Sequence, residues 1–312
     1  MPRFAGSPEG RNSANGTESR RRARGDDFSR MPNNMTSNLD HLIQEGPIAR
    51  AQRIVIHGPE GVGKTTLAKD FPAPVLFLDS EDGTCHFDLR RIRALDSESF
   101  HNAFRALLKD HALSIRTLVI DSVDQAEKYI RDRVLRIHRM NAIEDFGYGK
   151  GWTFLREEFE RFLSDLDRLI ARGVNIVVIA HSAVKKYQPP MAETAYDRYS
   201  LKLYESNSCR LKEWADAVLF VDWETRVLDS RGGKPRGAGG RVRVIHTTHS
   251  AGWDAKVRVD LPEKLPCQFD ALKPLFGCQQ EEVNTEATTA PSAPAPGQKT
   301  APTPTKLDPE AA

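Results

Sequence analysis

Long apolar runs are missing from this 312-residue chain. No stretch approaches the roughly 20 residues a helix needs to cross a bilayer, and the N-terminus lacks the apolar centre of a secretory leader. A cytoplasmic protein without a membrane partner is the expectation. Cysteine is scarce as well: Cys85, Cys209, Cys267 and Cys278 form no C-x-x-C pair and no Cys/His cluster at zinc-ligand spacing. That argues against a disulfide scaffold or a zinc module and leaves reduced structural thiols. An excess of one charge is also lacking. Lys and Arg number 45 against 43 Asp and Glu, a formal net charge of +2, so any basic surface must be local. No internal repeat is visible.

What is present is a change of texture along the chain. Residues 1–47 are rich in Arg, Asn, Ser and Gly and include Arg20-Arg21-Arg22-Ala23-Arg24. So little apolar area cannot offset chain entropy, and a disordered basic leader is expected. Residues 278–312 turn to Pro, Ala and Thr, the composition of an extended, mobile tail. Between them, 48–277 should form one domain. Its short apolar runs, "RIVIH" (53–57), "VLFLD" (75–79), "TLVID" (117–121), "NIVVIA" (175–180) and "AVLFVD" (217–222), read as strands buried on both faces. Helical spacing separates several of them, at Phe100, Phe104, Leu107 and Leu108, at Ala126, Ile130, Val134 and Ile137, and at Leu155, Phe159, Phe162, Leu166, Leu169 and Ile170. Strand and helix in alternation predict an α/β fold with a mostly parallel central sheet flanked by helices. "RVRVIHT" and "KVRVD" alternate with period two and predict antiparallel strands at the C-terminal side.

The first strand runs into "GPEGVGKTT", which matches G-x-x-x-x-G-K-[ST]. In such a loop Gly58, Pro59, Glu60, Gly61, Val62 and Gly63 turn backbone N–H groups onto phosphate oxygens. Lys64 reaches the β- and γ-phosphates, Thr65 ligates magnesium, and Thr66 continues into a helix. ATP and Mg2+ are the implied ligands. "TLVIDSVD" ends its strand in Asp121, placed to hold the magnesium from the carboxyl end of a neighbouring parallel strand. The run "VLFLDSEDGT" carries Asp79, Glu81 and Asp82 almost adjacent. Either they form a solvated turn, for which Asp82-Gly83 is good chemistry, or something cationic sits among them.

In many ring-forming ATPases a Glu directly follows the magnesium-binding Asp, whereas Asp121 is followed by Ser122. Asp79-Ser80-Glu81, Asp121-Ser122 and a polar residue after the fourth strand resemble RecA-type recombinases. More closely, "HGPEGVGKTT", "FLDSEDGT", "EDFGYGKGW", "VVIAHSAVKK", "YDRYSLKL", "EWADAVLF" and "GWDAKVR" resemble the phage and prophage RecA-like ATPases labelled AAA-domain nucleotide-binding proteins, a family that includes single-strand annealing proteins. The likeness covers roughly residues 48–270. It implies a RecA-like P-loop fold and ATP hydrolysis with Glu81 activating water and Asp79 in support. It further implies His181 as a γ-phosphate sensor, and Lys256 and Arg258 as a finger reaching the nucleotide of a neighbouring subunit.

Single-stranded DNA is the implied partner, together with self-assembly into a ring or filament and a single-strand-binding protein. A phage-encoded member would work in the cytoplasm of a bacterial host. Two segments have the composition to meet such DNA. "EDFGYGKGWTF" combines Phe146, Tyr148 and Trp152 with Lys150 and three glycines; "SAVKKYQPPMAETAYDRYSLK" carries Lys185, Lys186, Tyr187 and Arg198. Aromatic faces stack on bases and cations meet phosphates, although the same residues also suit an ordinary surface loop with aromatic anchors. A helicase or helicase-loader motor is the alternative on the same core.

Overall fold

The computed structural model describes residues 39–46, 48–190, 193–228 and 236–279. The expected leader and tail lie almost wholly outside these. Residues 39–46 belong to a separate short unit containing a 3-10 turn at Asp40–Leu42.

The domain is built on strands β1 (Arg53–Gly58), β2 (Val75–Asp79), β3 (Arg90–Arg93), β4 (Thr117–Asp121), β5 (Asn175–Tyr187), β6 (Tyr196–Leu201), β7 (Ala217–Leu228), β8 (Arg236–His246) and β9 (Lys264–Pro266). Helices are α1 (Lys64–Ala68), α2 (Ser97–Lys109), α3 (Val123–His138), α4 (Lys150–Ile170) and α5 (Glu205–Trp214), and a 3-10 segment, Phe269–Gln279, closes the described chain. The sheet runs β3-β2-β4-β5-β1-β7-β8-β9, parallel from β3 to β7 and antiparallel beyond, with β6 pairing only the outer half of β5. This is the α/β fold the sequence predicts, mostly parallel with antiparallel strands at its C-terminal side.

The apolar runs are continuous because both sheet faces are covered. Side chains alternate across the pleat. Val55, Leu76, Leu78, Leu118, Ile120, Ile176 and Val178 face a core shared with the buried stripes of α2, α3 and α4. Ile54, Ile56, Phe77, Val119, Val177 and Ile179 face a second core closed by Leu67 of α1 and by Leu272, Leu275 and Phe276. Local signals set the helix starts: Asp96 caps α2 through the backbone N–H groups of Glu98 and Ser99, and Ser122 caps α3.

Two expectations about strands change. "KVRVD" is not a strand; it makes a single bridge, between Lys256 and Val218. The segment carrying Lys185, Lys186, Tyr187 and Arg198 is mostly an antiparallel hairpin, β5 with β6, rather than a loop.

Candidate active site

Strand order places the acids. β5 stands between β1 and β4, so Asp121 is two strands from the phosphate loop instead of next to it. β2 lies directly against β4 with Asp79 opposite Asp121, and their ends are stitched together. Ser80 donates its backbone N–H to the Asp121 carbonyl at 2.8 Å and its hydroxyl to the same oxygen at 3.0 Å, while Ser122 N–H donates to Ser80 Oγ at 2.9 Å. From the loop side, Thr65 Oγ1 reaches Asp121 Oδ2 at 2.7 Å. Hydroxyl and carboxylate therefore converge on one point, as a divalent cation would require of them.

The loop itself is tightly held. Gly58 leaves no room for a Cβ because the Val221 carbonyl lies against it, and Gly63 takes φ +96° with the Arg243 guanidinium packed over it. Lys64 is buried, its Nζ donating to the carbonyls of Gly58 and Pro59, each at 2.9 Å. Burial lowers its pKa, against the pull of Asp121 and Asp124. Burial also pushes Asp121 up to about 6; the Thr65 bond works against this, and the charges of Glu81 and Asp79 add to it. A carboxyl so raised gains from a cation beside it. These residues fit Mg2+ and a polyphosphate.

Glu81 is the acid of its group that faces this site. Its Oε1 accepts from Ser122 Oγ and lies 3.7 Å from His181 Nδ1. Asp79 has a different task from the expected support of hydrolysis. It is buried, and its carboxylate accepts from Glu81 N–H, Thr84 N–H and the Thr84 hydroxyl, so it builds the turn that carries Glu81. Asp82, at φ 59°, pairs outward with Arg93.

His181 directly follows the buried run 175–180 of β5, the position for which a sensor role is expected. Asp124, in the first turn of α3, accepts from its backbone N–H at 3.1 Å and bonds its Nδ1 at 2.9 Å. That bond raises the His181 pKa, opposed by burial. Burial would raise Asp124, yet the hydrogen bonds and charge of His181 hold it below the usual carboxylate range. Among the described residues, Glu81, Asp124 and His181 bring ligand atoms within 4.8 Å of one another. Asp124 was missed in the sequence; an acid three residues past Asp121, opening a helix, was the available signal.

One residue before the loop, His57 is fully buried, and burial lowers its pKa to about 4. The neutral ring donates Nε2–H to the Asp254 carbonyl at 2.7 Å and accepts the Ser182 hydroxyl at Nδ1, 3.0 Å away. Asp254 in turn takes Arg198 at 2.5 Å and Lys212 at 2.7 Å.

That network corrects one expected DNA contact. Arg198 is buried, bonded to Asp254 and the Trp253 carbonyl, with Tyr187 over its guanidinium at 4.9 Å, so it is not offered to solvent. Two aromatic residues of the first segment are likewise spent within the fold. Trp152 stacks on Tyr204 at 4.4 Å, and Phe146 packs on His138 and Phe154 at 5.3 Å each. Tyr148 is fully exposed between Gly147 and Gly149, all three at positive φ, and Lys150 is exposed beside it. On the hairpin, Lys186 and Tyr187 are exposed, while Lys185 leans to Glu205 at 3.4 Å.

The expected finger is not on a regular strand. Lys256 donates to the Glu213 carbonyl at 3.4 Å, and Arg258 lies 3.4 Å from Asp216. Asp216 also bonds Arg53 N–H, at the opening of β1 and β7 and therefore at the sheet edge opposite the phosphate loop. Neither cation serves this chain's own loop.

The AAA-domain family model matches residues 50–259. No curated protein matches the chain. Solved structures similar to it include the flagellar accessory protein FlaH from Methanocaldococcus jannaschii, at 13% identity and a TM-score of 0.33, covering 69% of this chain and 91% of that one. No helix among the described residues is long and apolar enough to cross a membrane.

Proposed function

The chain belongs to the AAA-domain family and carries a P-loop ATPase domain, and on that premise we propose that it hydrolyses ATP with Mg2+ and acts on single-stranded DNA in recombination or strand annealing. The observation that carries the hydrolytic half is the meeting of Thr65, Asp121 and Glu81: hydroxyl and carboxylate 2.7 Å apart, with Glu81 bonded to the next residue, Ser122. Thr65 and Asp121 would hold Mg2+, which supplies charge neutralisation at the phosphates when bound. Lys64 leaves its carbonyl partners for phosphate oxygens. Glu81 accepts the proton of the attacking water, and His181, fixed by Asp124, hydrogen-bonds the terminal phosphate.

The DNA half is supported by two exposed features of matching chemistry: Tyr148 with Lys150, and the outer hairpin with Lys186 and Tyr187. One arm of the hairpin is the outer half of the same strand that carries His181, which gives nucleotide binding a path to it. Self-assembly and recruitment of a single-strand-binding protein are proposals on the same footing.

A gel shift with short single strands, with and without Mg·ATP, tests the DNA assignment; no binding in either state removes it. Calorimetry with Mg·ATP tests the ATPase assignment. Wild type is expected to bind and Lys64→Ala to lose binding; absence of heat from folded wild type rejects the reading.

A further inference from the structure

A cavity of about 480 Å³ opens beside the phosphate loop, within the size range of small-molecule pockets. Gly63, Thr66 and Asp70 form one wall and Arg243 of β8 another; Gln268 and Phe269, between β9 and the last 3-10 segment, complete it. Residues 267–270 lie beyond the stretch that the family model matches. We propose that this cavity takes the nucleoside half of the bound nucleotide, so that the C-terminal segment, and not the family-matched portion alone, determines which triphosphate the chain accepts.

The inference rests on the proposed ATPase reading and extends it. Three features of the walls support it. Arg243 packs over Gly63, at the mouth nearest the phosphate loop, where a cation meets the charge of the α-phosphate that joins the nucleoside to the rest of the nucleotide. Asp70, just past the end of α1, and Asp270 also line the cavity. Carboxylates repel a further phosphate and accept hydrogen bonds from sugar hydroxyls. Phe269 supplies an aromatic surface whose ring is fixed by Phe71 at 5.1 Å and Phe276 at 5.7 Å, a rigid wall for a flat base. Cation, carboxylates and aromatic ring thus match phosphate, sugar and base. Gln268 is exposed on the same wall and has both a donor and an acceptor for a base edge.

Cys267 gives the test a reporter, because its half-buried thiol lines the cavity while Cys209 is exposed on α5. The full chain is alkylated with iodoacetamide alone, with Mg·ATP, or with Mg·tripolyphosphate, and each cysteine is quantified by peptide mass. ATP is expected to slow modification of Cys267 at least fivefold while leaving Cys209 unchanged, and tripolyphosphate, which has no nucleoside, to leave both unchanged.

A second measurement needs no thiol chemistry. Cys267→Phe fills the cavity and is expected to weaken ATP binding at least tenfold while keeping tripolyphosphate affinity within twofold, which also shows that the variant is folded. If ATP binds yet protects Cys267 no better than tripolyphosphate does, and Cys267→Phe binds ATP like wild type, the cavity assignment is overturned while the ATPase reading stands. If neither ATP nor tripolyphosphate binds the wild-type chain, the ATPase reading falls and takes the assignment with it.

Discussion

Asp124 holds His181 at two points, the backbone N–H and the ring Nδ1, at 3.1 and 2.9 Å. Because the pair is buried on one side and charge-assisted, its contribution depends on pH. The His181 pKa is raised above 6.5, so the stability it adds is complete below that value and is lost as pH rises through the folded-state pKa. Asp124 is lowered, so its share is present above the ordinary carboxylate value of 3.8 and disappears as pH falls through its folded pKa. Melting curves of wild type and Asp124→Asn should therefore differ most near pH 5–6 and converge in alkali. A constant difference across the range would contradict the assignment.

Glu81→Gln keeps the bond to Ser122 but cannot accept a proton. Expected turnover falls by about 10²–10⁴-fold with nucleotide affinity nearly unchanged. Phosphate release measured beside equilibrium binding checks both, and equal hydrolysis by variant and parent rejects Glu81 as the base.

Burial makes an ionised Asp121 costly to the fold. A carboxyl raised from 3.8 to about 6 by burial disfavours its own ionised form in the nucleotide-free fold by about 3 kcal/mol above pH 6. Asp121→Asn, which can still accept from Thr65, is expected to raise Tm at pH 7.5 by a few degrees and to weaken Mg-dependent ATP binding at least tenfold. The Tm advantage should vanish below about pH 4, where the native carboxyl is neutral. Calorimetric melts at two pH values decide it.

How far the sequence revealed this site depends on where each partner lies along the chain. The inner strands were legible because burial on both faces requires unbroken apolar runs. Strand β3, "RRIR", was not: it is the sheet edge, with partly exposed arginines and no apolar signature. Lys64, Thr65 and Asp121 were legible because their spacing and strand context constrain them locally. Arg198 was not, since its partner Asp254 is 56 residues away and a buried arginine looks like an exposed one in sequence. Trp152 and Phe146 were ambiguous for the same reason. An aromatic ring in a glycine-rich segment suits a base or a neighbour equally, and only Tyr204, Phe154 and His138 decide.

Arg198→Ala and Tyr148→Ala should separate structure from DNA contact. Removing Arg198 leaves Asp254 short of a partner in a buried network and is expected to destabilise the fold by about 3–5 kcal/mol. Tyr148→Ala touches only solvent-exposed surface. It should leave Tm unchanged and weaken single-strand binding by about 1–3 kcal/mol if one base stacks there. Thermal melts and fluorescence anisotropy on the two variants measure this, and an unaltered affinity for Tyr148→Ala removes that contact.

Strand β5 is one uninterrupted ribbon that is clamped between β1 and β4 up to the site and then projects from the sheet, paired among the described residues with β6 alone. From His181 to Tyr187 it extends about 20 Å at the rise of a strand. It is geometrically a lever with its fulcrum at His181: a tilt of about 3° there displaces the hairpin's outer end by about 1 Å. Sub-ångström adjustments at His181 are thereby magnified where the hairpin meets its surroundings.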